Sequence, residues 1–451
     1  MLDQQARRRL GERAEAMRAE LAGHGVTMVG LTCVDNAGIT RTKAVPLSRL
    51  THAARWGVGM SPCFDGFSAR SVPVPSAHSP GVVGDIRLHP DLDRLSTFAA
   101  APGWAWAPAD RLRQDGTPHP GDQRTLTTSA VSALETAGLR ARMAFEIEWI
   151  IGTPAQDGSF TPAAGGQPYG FGRLTERAEY LAEIVACLGA QGIEVDQVHP
   201  EYAAAQFELS IAAADPVRAA DEYVLVRETI RAVSFEHGCR ASFAPSVLAG
   251  AAGNGLHVHL SIWSGQRNLI DAGPGDTGGS FAAGILDRLP ALLAIGAPAA
   301  ASYLRLVPRH WSAPYRCWGT ENREAALRWI QGVDGERDSA ANIEVKCFDS
   351  AANPYLLAAG LLFAGLAGYR EGARLPEEIT VDPASLDADR GAERLPTSLA
   401  EATTAFEADP VLCRAFGTEL SGLIADLRRE EHAHFAGADP EQVVAESRWL
   451  Y

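Results

Sequence analysis

Four stretches of the chain alternate an apolar residue with a carboxylate, an imidazole or an amide. They are Phe145-Glu146-Ile147-Glu148-Trp149, Glu201 with Gln206-Phe207-Glu208-Leu209, Leu256-His257-Val258-His259-Leu260, and Ile343-Glu344-Val345-Lys346. A β-strand repeats every two residues, so each stretch turns its apolar set to one side and its liganding set to the other. A single Glu-x-Glu strand is ordinarily a solvated face. Four of them, almost free of the Lys and Arg that a solvated face mixes in and with histidine added, supply hard ligands for two divalent cations.

The elements that must position these strands are readable in outline. Residues 26–46 predict two strands joined by the turn Asp35-Asn36-Ala37-Gly38, whose residue types tolerate tight backbone. The first hundred or so residues are strand-rich and loop-rich. After the turn-forming run Asp115-Gly116-Thr117-Pro118-His119-Pro120-Gly121 the character changes, which places a domain boundary between residues 118 and 119. Helices are predicted over 128–138, over 175–189 with Leu181, Ile184, Val185 and Leu188 on one face, and over 216–238 with proline at its start and glycine at its end. The uncharged run 350–369 opens on Asn353-Pro354, a cap followed by proline at the first helical position, and reads as a buried helix rather than a membrane span.

Composition sets outer limits. A chain of 451 residues has room for two or three domains, and a net charge of -15 excludes the basic stripe that nucleic acid demands. The acidity agrees with a cationic substrate. Seven scattered cysteines without a Cys-x-x-Cys pair indicate neither a disulfide framework nor a thiolate zinc site. With a charged N-terminal segment in place of a signal-peptide core, the expected compartment is the cytoplasm, with no membrane partner.

The order of the motifs resembles the glutamine synthetase family from about Gly25 to Tyr451. Glu146-Ile147-Glu148 is similar to its first metal strand, His199-Pro200-Glu201 with Gln206-Phe207-Glu208 to its second, and Gly253-Asn254-Gly255-Leu256-His257-Val258-His259-Leu260-Ser261 to its nucleotide and metal loop. Arg305-Leu306-Val307-Pro308, Asn322-Arg323 with Arg328, and Ile343-Glu344-Val345-Lys346 before Asn353-Pro354-Tyr355 complete the set. The resemblance implies an α+β fold with an N-terminal β-grasp domain over residues 1–118. A catalytic domain over 119–451 would follow, built on a curved antiparallel sheet. It also implies homo-oligomeric rings, usually dodecamers, whose active sites are shared between neighbours.

The implied chemistry is ATP-dependent. ATP first phosphorylates the γ-carboxylate of glutamate, and an amine then displaces phosphate from the γ-glutamyl phosphate. Carboxylates with an imidazole suit Mg²⁺ or Mn²⁺, which neutralise the phosphate oxygens. By resemblance Glu148, Glu201 and Glu208 would hold one ion, and Glu146, His257 and Glu344 the other. Arg323 and Arg328 would stabilise the moving phosphoryl group. Arg305 would grip glutamate with Gly253 and Lys346 nearby, and Asp196, His259, Ser261 and Arg323 would line ATP.

Departures from the family pattern bear on the nucleophile. Ammonia-using members carry a glutamate after Arg-Leu-Val-Pro, and here the segment reads Arg309-His310-Trp311-Ser312-Ala313-Pro314. A gapless count puts Trp311 at that place, whereas anchoring on the following proline puts Ser312 there. Losing the charge should weaken ammonium capture and favour an organic amine. The loop's usual Asn falls on Ala252, and Lys346 stands for an arginine and loses its bidentate fork. Phe64-Asp65-Gly66 resembles the loop that a neighbouring subunit contributes to the ammonium site, so Asp65 is a candidate contact for a cationic nucleophile. No tyrosine lies between Tyr369 and Tyr451, so the family's adenylylated tyrosine is missing. The expectation is a glutamate–amine or glutamate–polyamine ligase of the γ-glutamylpolyamine type. The alternatives are an ammonia-using glutamine synthetase and a non-catalytic ring-forming regulator.

Overall fold

The computed structural model describes residues 2–154, 160–386 and 392–451. A charged helix, Gln4–Gly23, precedes a six-stranded sheet. Along that sheet the strands run Thr40–Pro46, Met28–Val34, Trp104–Leu112, Ile86–Pro90 and Val58–Met60, with Ser96–Thr97 beside Trp104–Leu112. Met28–Val34 is antiparallel to Thr40–Pro46 and parallel to Trp104–Leu112. The predicted hairpin turn forms as expected. Asp35 Oδ1 accepts the N–H groups of Ala37 and Ile39 at 2.9 and 3.0 Å, and Gly38 takes the left-handed backbone at φ 81° that the turn needs.

Among the described residues the larger sheet has eleven strands. Its main path is Glu393–Arg394, Tyr315–Thr320, Ala325–Ile330, Asn342–Val345, Leu256–Ser264, Arg140–Pro154, Gln206–Ile211 and Val195–Pro200. The expectation of an antiparallel sheet needs one correction, because Tyr315–Thr320 and Ala325–Ile330 pair in parallel. Glu321, in left-handed backbone at φ 51°, begins the connector that returns the chain to the sheet in the same direction.

Alternation works as the sequence predicts. Phe145, Ile147, Trp149, Phe207, Leu209, Leu256, Val258, Leu260, Ile343 and Val345 are all fully buried on the core side. On the other side the strand register lines up the polar residues. Glu208 pairs with Glu148, Glu146 with His257, His259 with Glu344, and Glu344 with Arg328. Chemistry-bearing residues from five strands thus form one row across the sheet.

Helices pack behind this row. Asn353 caps Pro354–Glu371 by accepting from Tyr355 and Leu356 N–H, while its amide donates to Val34 O and Asp35 O at 3.1 and 3.0 Å. One residue therefore starts a core helix and ties it to the hairpin of the smaller sheet. Thr277–Gly296 crosses Pro354–Glu371 so closely that a Cβ on Gly284 would lie 2.4 Å from Ala364 O. By length and composition Thr277–Gly296 could cross a membrane, but 78% of its apolar window is buried in the fold. The helix expected over 128–138 spans Gln123–Thr136, starting earlier because Asp122 accepts the Thr125 N–H. The one expected over 175–189 is two helices, Phe171–Glu176 and Ala178–Ala190, and the third is Pro216–Glu236.

Candidate active site

The polar row opens into a cavity of about 930 Å³. Glu146, Glu148, Glu201, Glu208, His257, His259 and Glu344 line it, as do Gly253, Arg305, Trp311, Arg323, Arg328 and Lys346. An adjoining cavity of about 360 Å³ shares Glu146, His259 and Asn342 and adds Asp196 and Ser261. All but two of the residues singled out in the sequence thus meet around these two joined spaces.

The two exceptions are Ser312 and Asp65. Ser312 is 1% exposed, and its hydroxyl donates to Val307 O at 2.9 Å, so it lines neither cavity. Of the two candidates for the missing carboxylate's place, it is Trp311 that faces the space, and the assignment of Ser312 to the substrate site is corrected. Asp65 is buried 2.5 Å from Arg111 Nη1 and 3.2 Å from His119 Nε2. It faces a separate cavity of about 170 Å³ beside Asn36, His78 and Glu419. Arg111 and His119 outweigh the burial that would raise its pKa and hold its carboxyl below the usual range. Within its own chain Asp65 is an ion-pair partner and does not reach the catalytic cavity.

The carboxylates in the large cavity are poorly compensated. His257 Nδ1 lies 2.6 Å from Glu146 and 3.4 Å from Glu344, and His257 Nε2 lies 3.7 Å from Glu148. His199 Nε2 lies 2.9 Å from Glu208, and its Nδ1 lies 3.5 Å from Glu201. Burial and the nearby Glu146, Glu148 and Glu201 push Glu208 up to about 8. His199 is lifted to about 9 by Glu208 against the opposing effect of its burial, and His259 to about 9 by Glu146 and Glu344 in the same way. Glu344 resists the upward push of burial because Lys346, His259 and His257 hold it down to about 2. Crowded negative charge, with burial at Glu208, thus favours proton binding at this site in the absence of cations.

Divalent cations fit this donor set. Three groups, Glu146 with Glu208 and His257, Glu146 with His259 and Glu344, and His199 with Glu201 and Glu208, each bring three ligand atoms within 4.8 Å of one another. The grouping differs from the sequence expectation by bringing His199 and His259 into the candidate ligand sets. Glu148 is instead held by Gly255 N–H at 3.0 Å and Gln206 Nε2 at 2.8 Å. His257 Nε2 and His259 Nε2 are buried without a hydrogen-bond partner among the described residues, as expected of atoms awaiting a metal or a phosphate.

Cationic side chains line the same cavity. Arg305 is 5% exposed, with Nη2 donating to Lys346 O at 3.3 Å and Nη1 buried without a hydrogen-bond partner among the described residues, which suits an incoming carboxylate. Arg328 Nη1 donates to Glu344 Oε2 at 3.2 Å, Lys346 Nζ donates to Glu344 Oε1 at 2.9 Å, and Arg323 is exposed at the mouth. Arg328 and Lys346 thus meet the carboxylate row at Glu344, and with Arg305 and Arg323 they bring to the cavity positive charge of the kind that stabilises phosphate.

Sequence reasoning missed Tyr169 and Tyr202. Tyr169 sits in a Gly- and Pro-rich loop, Gly165-Gly166-Gln167-Pro168-Tyr169-Gly170, where no periodicity exists to expose it. Its hydroxyl donates to Glu201, and Tyr202 N–H donates to the second Glu201 oxygen at 3.0 Å. His199 carried a signal, its place two residues before Glu201, but no role was drawn from it.

Residues 120–445 match the glutamine synthetase catalytic domain. A gamma-glutamylpolyamine synthetase, GlnA3, of Streptomyces coelicolor is 50% identical over 98% of this chain and 97% of its own length. The glutamine synthetase of Halobacterium salinarum is 27% identical over 96% of each chain. A crystal structure described as a novel glutamine synthase homolog superposes with a TM-score of 0.85 at 32% identity, over 94% of this chain and 99% of its own. A GmaS–ADP complex gives 0.81 at 27% identity, over 94% of this chain and 96% of its own. By domain match, by identity and by fold, this chain belongs to the glutamine synthetase family.

Proposed function

We propose that this chain is an ATP-dependent ligase that joins the γ-carboxylate of glutamate to an organic amine of the polyamine class. The observation that carries the reading is Trp311. It faces the cavity at the place where ammonia-using relatives are expected to carry a carboxylate, while the carboxylate, histidine and arginine set around it is complete. A γ-carboxylate oxygen of glutamate attacks the γ-phosphorus of ATP and ADP leaves. The amine nitrogen then attacks the acyl carbon, phosphate departs, and the nitrogen gives up a proton.

Each step assigns work to this chain's residues. Arg305 pairs with a glutamate carboxylate through its unpartnered Nη1. Arg323 and Arg328 stabilise the phosphoryl group in transit, and Lys346 keeps Glu344 ionised and in place. Asp196, His259 and Ser261 receive the nucleotide in the adjoining cavity. Glu146, Glu148, Glu201, Glu208, His257 and Glu344, with His199 beside them, would hold Mg²⁺ or Mn²⁺, which would offset charge on the phosphates.

Further features of the reading concern assembly. The parallel pairing of Met28–Val34 with Trp104–Leu112 beside a hairpin supports a β-grasp arrangement. A boundary near Pro118 is supported by the start of the larger sheet's elements after it. We also read the chain as a cytoplasmic homo-oligomer, a dodecamer by resemblance, in which Asp65 would serve a neighbouring copy. All seven cysteines are unpaired, in keeping with a reducing compartment.

Phosphate release from ATP, glutamate and Mg²⁺ tests the central reading, with ammonium compared against putrescine, spermidine, ethanolamine and small monoamines. Turnover with organic amines in preference to ammonium is expected. Turnover with ammonium alone would make this an ammonia-using glutamine synthetase, and silence with every nucleophile would make it a non-catalytic relative.

A further inference from the structure

We infer that Tyr169, Tyr202 and Trp311 form an aromatic wall that seats the methylene chain and the second, non-reacting ammonium of a diamine or polyamine. This rests on the amine-ligase reading and names its specificity determinant. The three rings are 57%, 41% and 46% exposed, yet all face the one cavity. They touch in sequence. Tyr202 stacks on Trp311 with centroids 4.2 Å apart and planes at 23°, and Tyr169 meets Tyr202 edge-on at 5.8 Å. Large apolar rings left in contact with water at a site mark a surface kept for a ligand.

The wall is anchored at both ends. At its inner end the Tyr169 hydroxyl and the Tyr202 N–H hold both oxygens of Glu201, so the rings begin at a carboxylate of the catalytic cluster. At its outer end Trp311 N–H donates to Glu324 at 3.0 Å. Tyr169, Arg309, Trp311 and Ala313 all take left-handed backbone, at φ 52°, 64°, 51° and 54°. Non-glycine residues adopt that region at a cost, and a loop that spends three of five residues there is held for a purpose other than stability.

The chemistry of the wall selects a ligand with two properties. Stacked rings cover aliphatic carbon well, and their faces attract an ammonium that has lost part of its water. A diamine supplies both properties at once. Its first nitrogen reacts near the carboxylate cluster while its chain and second nitrogen lie along the rings. Ammonium has no chain to cover, and a monoamine of equal length has no second charge.

The test compares kcat/KM for putrescine and for butylamine in the wild type, Trp311→Phe and Trp311→Leu. Both substrates are measured on one preparation, so the ratio does not depend on how much of it is folded. Trp311→Leu should lower the putrescine-to-butylamine ratio by roughly tenfold, the size of a cation–π contact in a partly desolvated site, and Trp311→Phe should keep most of it. A Tyr202→Leu variant should move the ratio the same way. Wild type that prefers putrescine while all three variants keep its ratio would overturn the wall and leave the amine-ligase reading standing. Wild type that uses no organic amine would overturn both.

Discussion

Around Arg111 and Arg124 each buried carboxylate meets a guanidinium, whereas among the described residues Glu146 and Glu208 form ion pairs with histidine alone. Arg124 reaches Asp91, Asp110 and Asp221 at 2.5, 2.6 and 2.9 Å, and Arg111 reaches Asp65 and Asp122 at 2.5 and 3.2 Å. Tyr355 adds a hydroxyl to Asp221 at 2.7 Å. That network joins the smaller sheet to the helices of the larger unit. In the cavity, among the described residues, the ion pairs of Glu146, Glu148, Glu201 and Glu208 go to histidine alone, and His257 Nε2 and His259 Nε2 have no hydrogen-bond partner. A finished charge cluster holds a fold together, and an unfinished one waits for cations.

Breaking the finished network should have the largest effect. Arg124→Ala removes the guanidinium that three carboxylates share, Asp221 among them fully buried, and should cost about 3 kcal/mol of stability with or without metal, read as a fall in thermal midpoint. Glu146→Ala should do the converse, because among the described residues its ion pairs are with histidine alone. It should lower ligase turnover by more than about a hundredfold while circular dichroism stays that of the wild type, because changes next to a metal already cost about 10–100-fold. Loss of the fold in Glu146→Ala, or full turnover in it, would erase the contrast between the two clusters.

A milder change sharpens the contrast through pH. Glu208, His199 and His259 all have folded-state values raised above their ordinary ones, to about 8, 9 and 9. A raised value means that the folded protein binds those protons more tightly. Metal-free stability should therefore fall as pH rises from the ordinary carboxylate range toward 9, since these groups then lose their protons. Mg²⁺ should restore it, so the metal-induced rise in midpoint grows with pH. Glu208→Gln should stabilise the metal-free protein by about 1 kcal/mol at high pH and blunt the response to Mg²⁺. A metal-induced shift that is flat across this range would count against a proton-filled cation site.

The smallest effect expected is at the cavity wall. Trp311→Glu should shift preference toward ammonium severalfold, the worth of one partly exposed ion pair of about 1 kcal/mol. An unchanged profile over ammonium and the amines would remove this position from nucleophile selection.

How much of this was legible in the sequence follows from where each signal resides. The row of ligands was legible because period-two alternation is local, and register then brought Glu146 to His257 and Glu344 to His259. The Asp35–Gly38 turn and the Asn353 cap were legible for the same reason. The parallel pairing of Tyr315–Thr320 was not, because strand direction depends on how the connector returns. Asp65 shows the same limit from another side. Its motif was visible, but the partner that neutralises it, Arg111, lies 46 residues away in sequence. Tyr169 and Tyr202 became visible only when their rings were seen to share a cavity with Trp311.

The most direct test of the unfinished cluster is a Mn²⁺ titration of the wild type and of Glu344→Ala, following the paramagnetic resonance of the free ion above pH 8, where Glu208 is ionised. Two saturable ions per chain in the wild type, with at least one lost in the variant, are expected. Wild type that leaves millimolar Mn²⁺ free, or a variant with unchanged stoichiometry, would contradict a two-cation site.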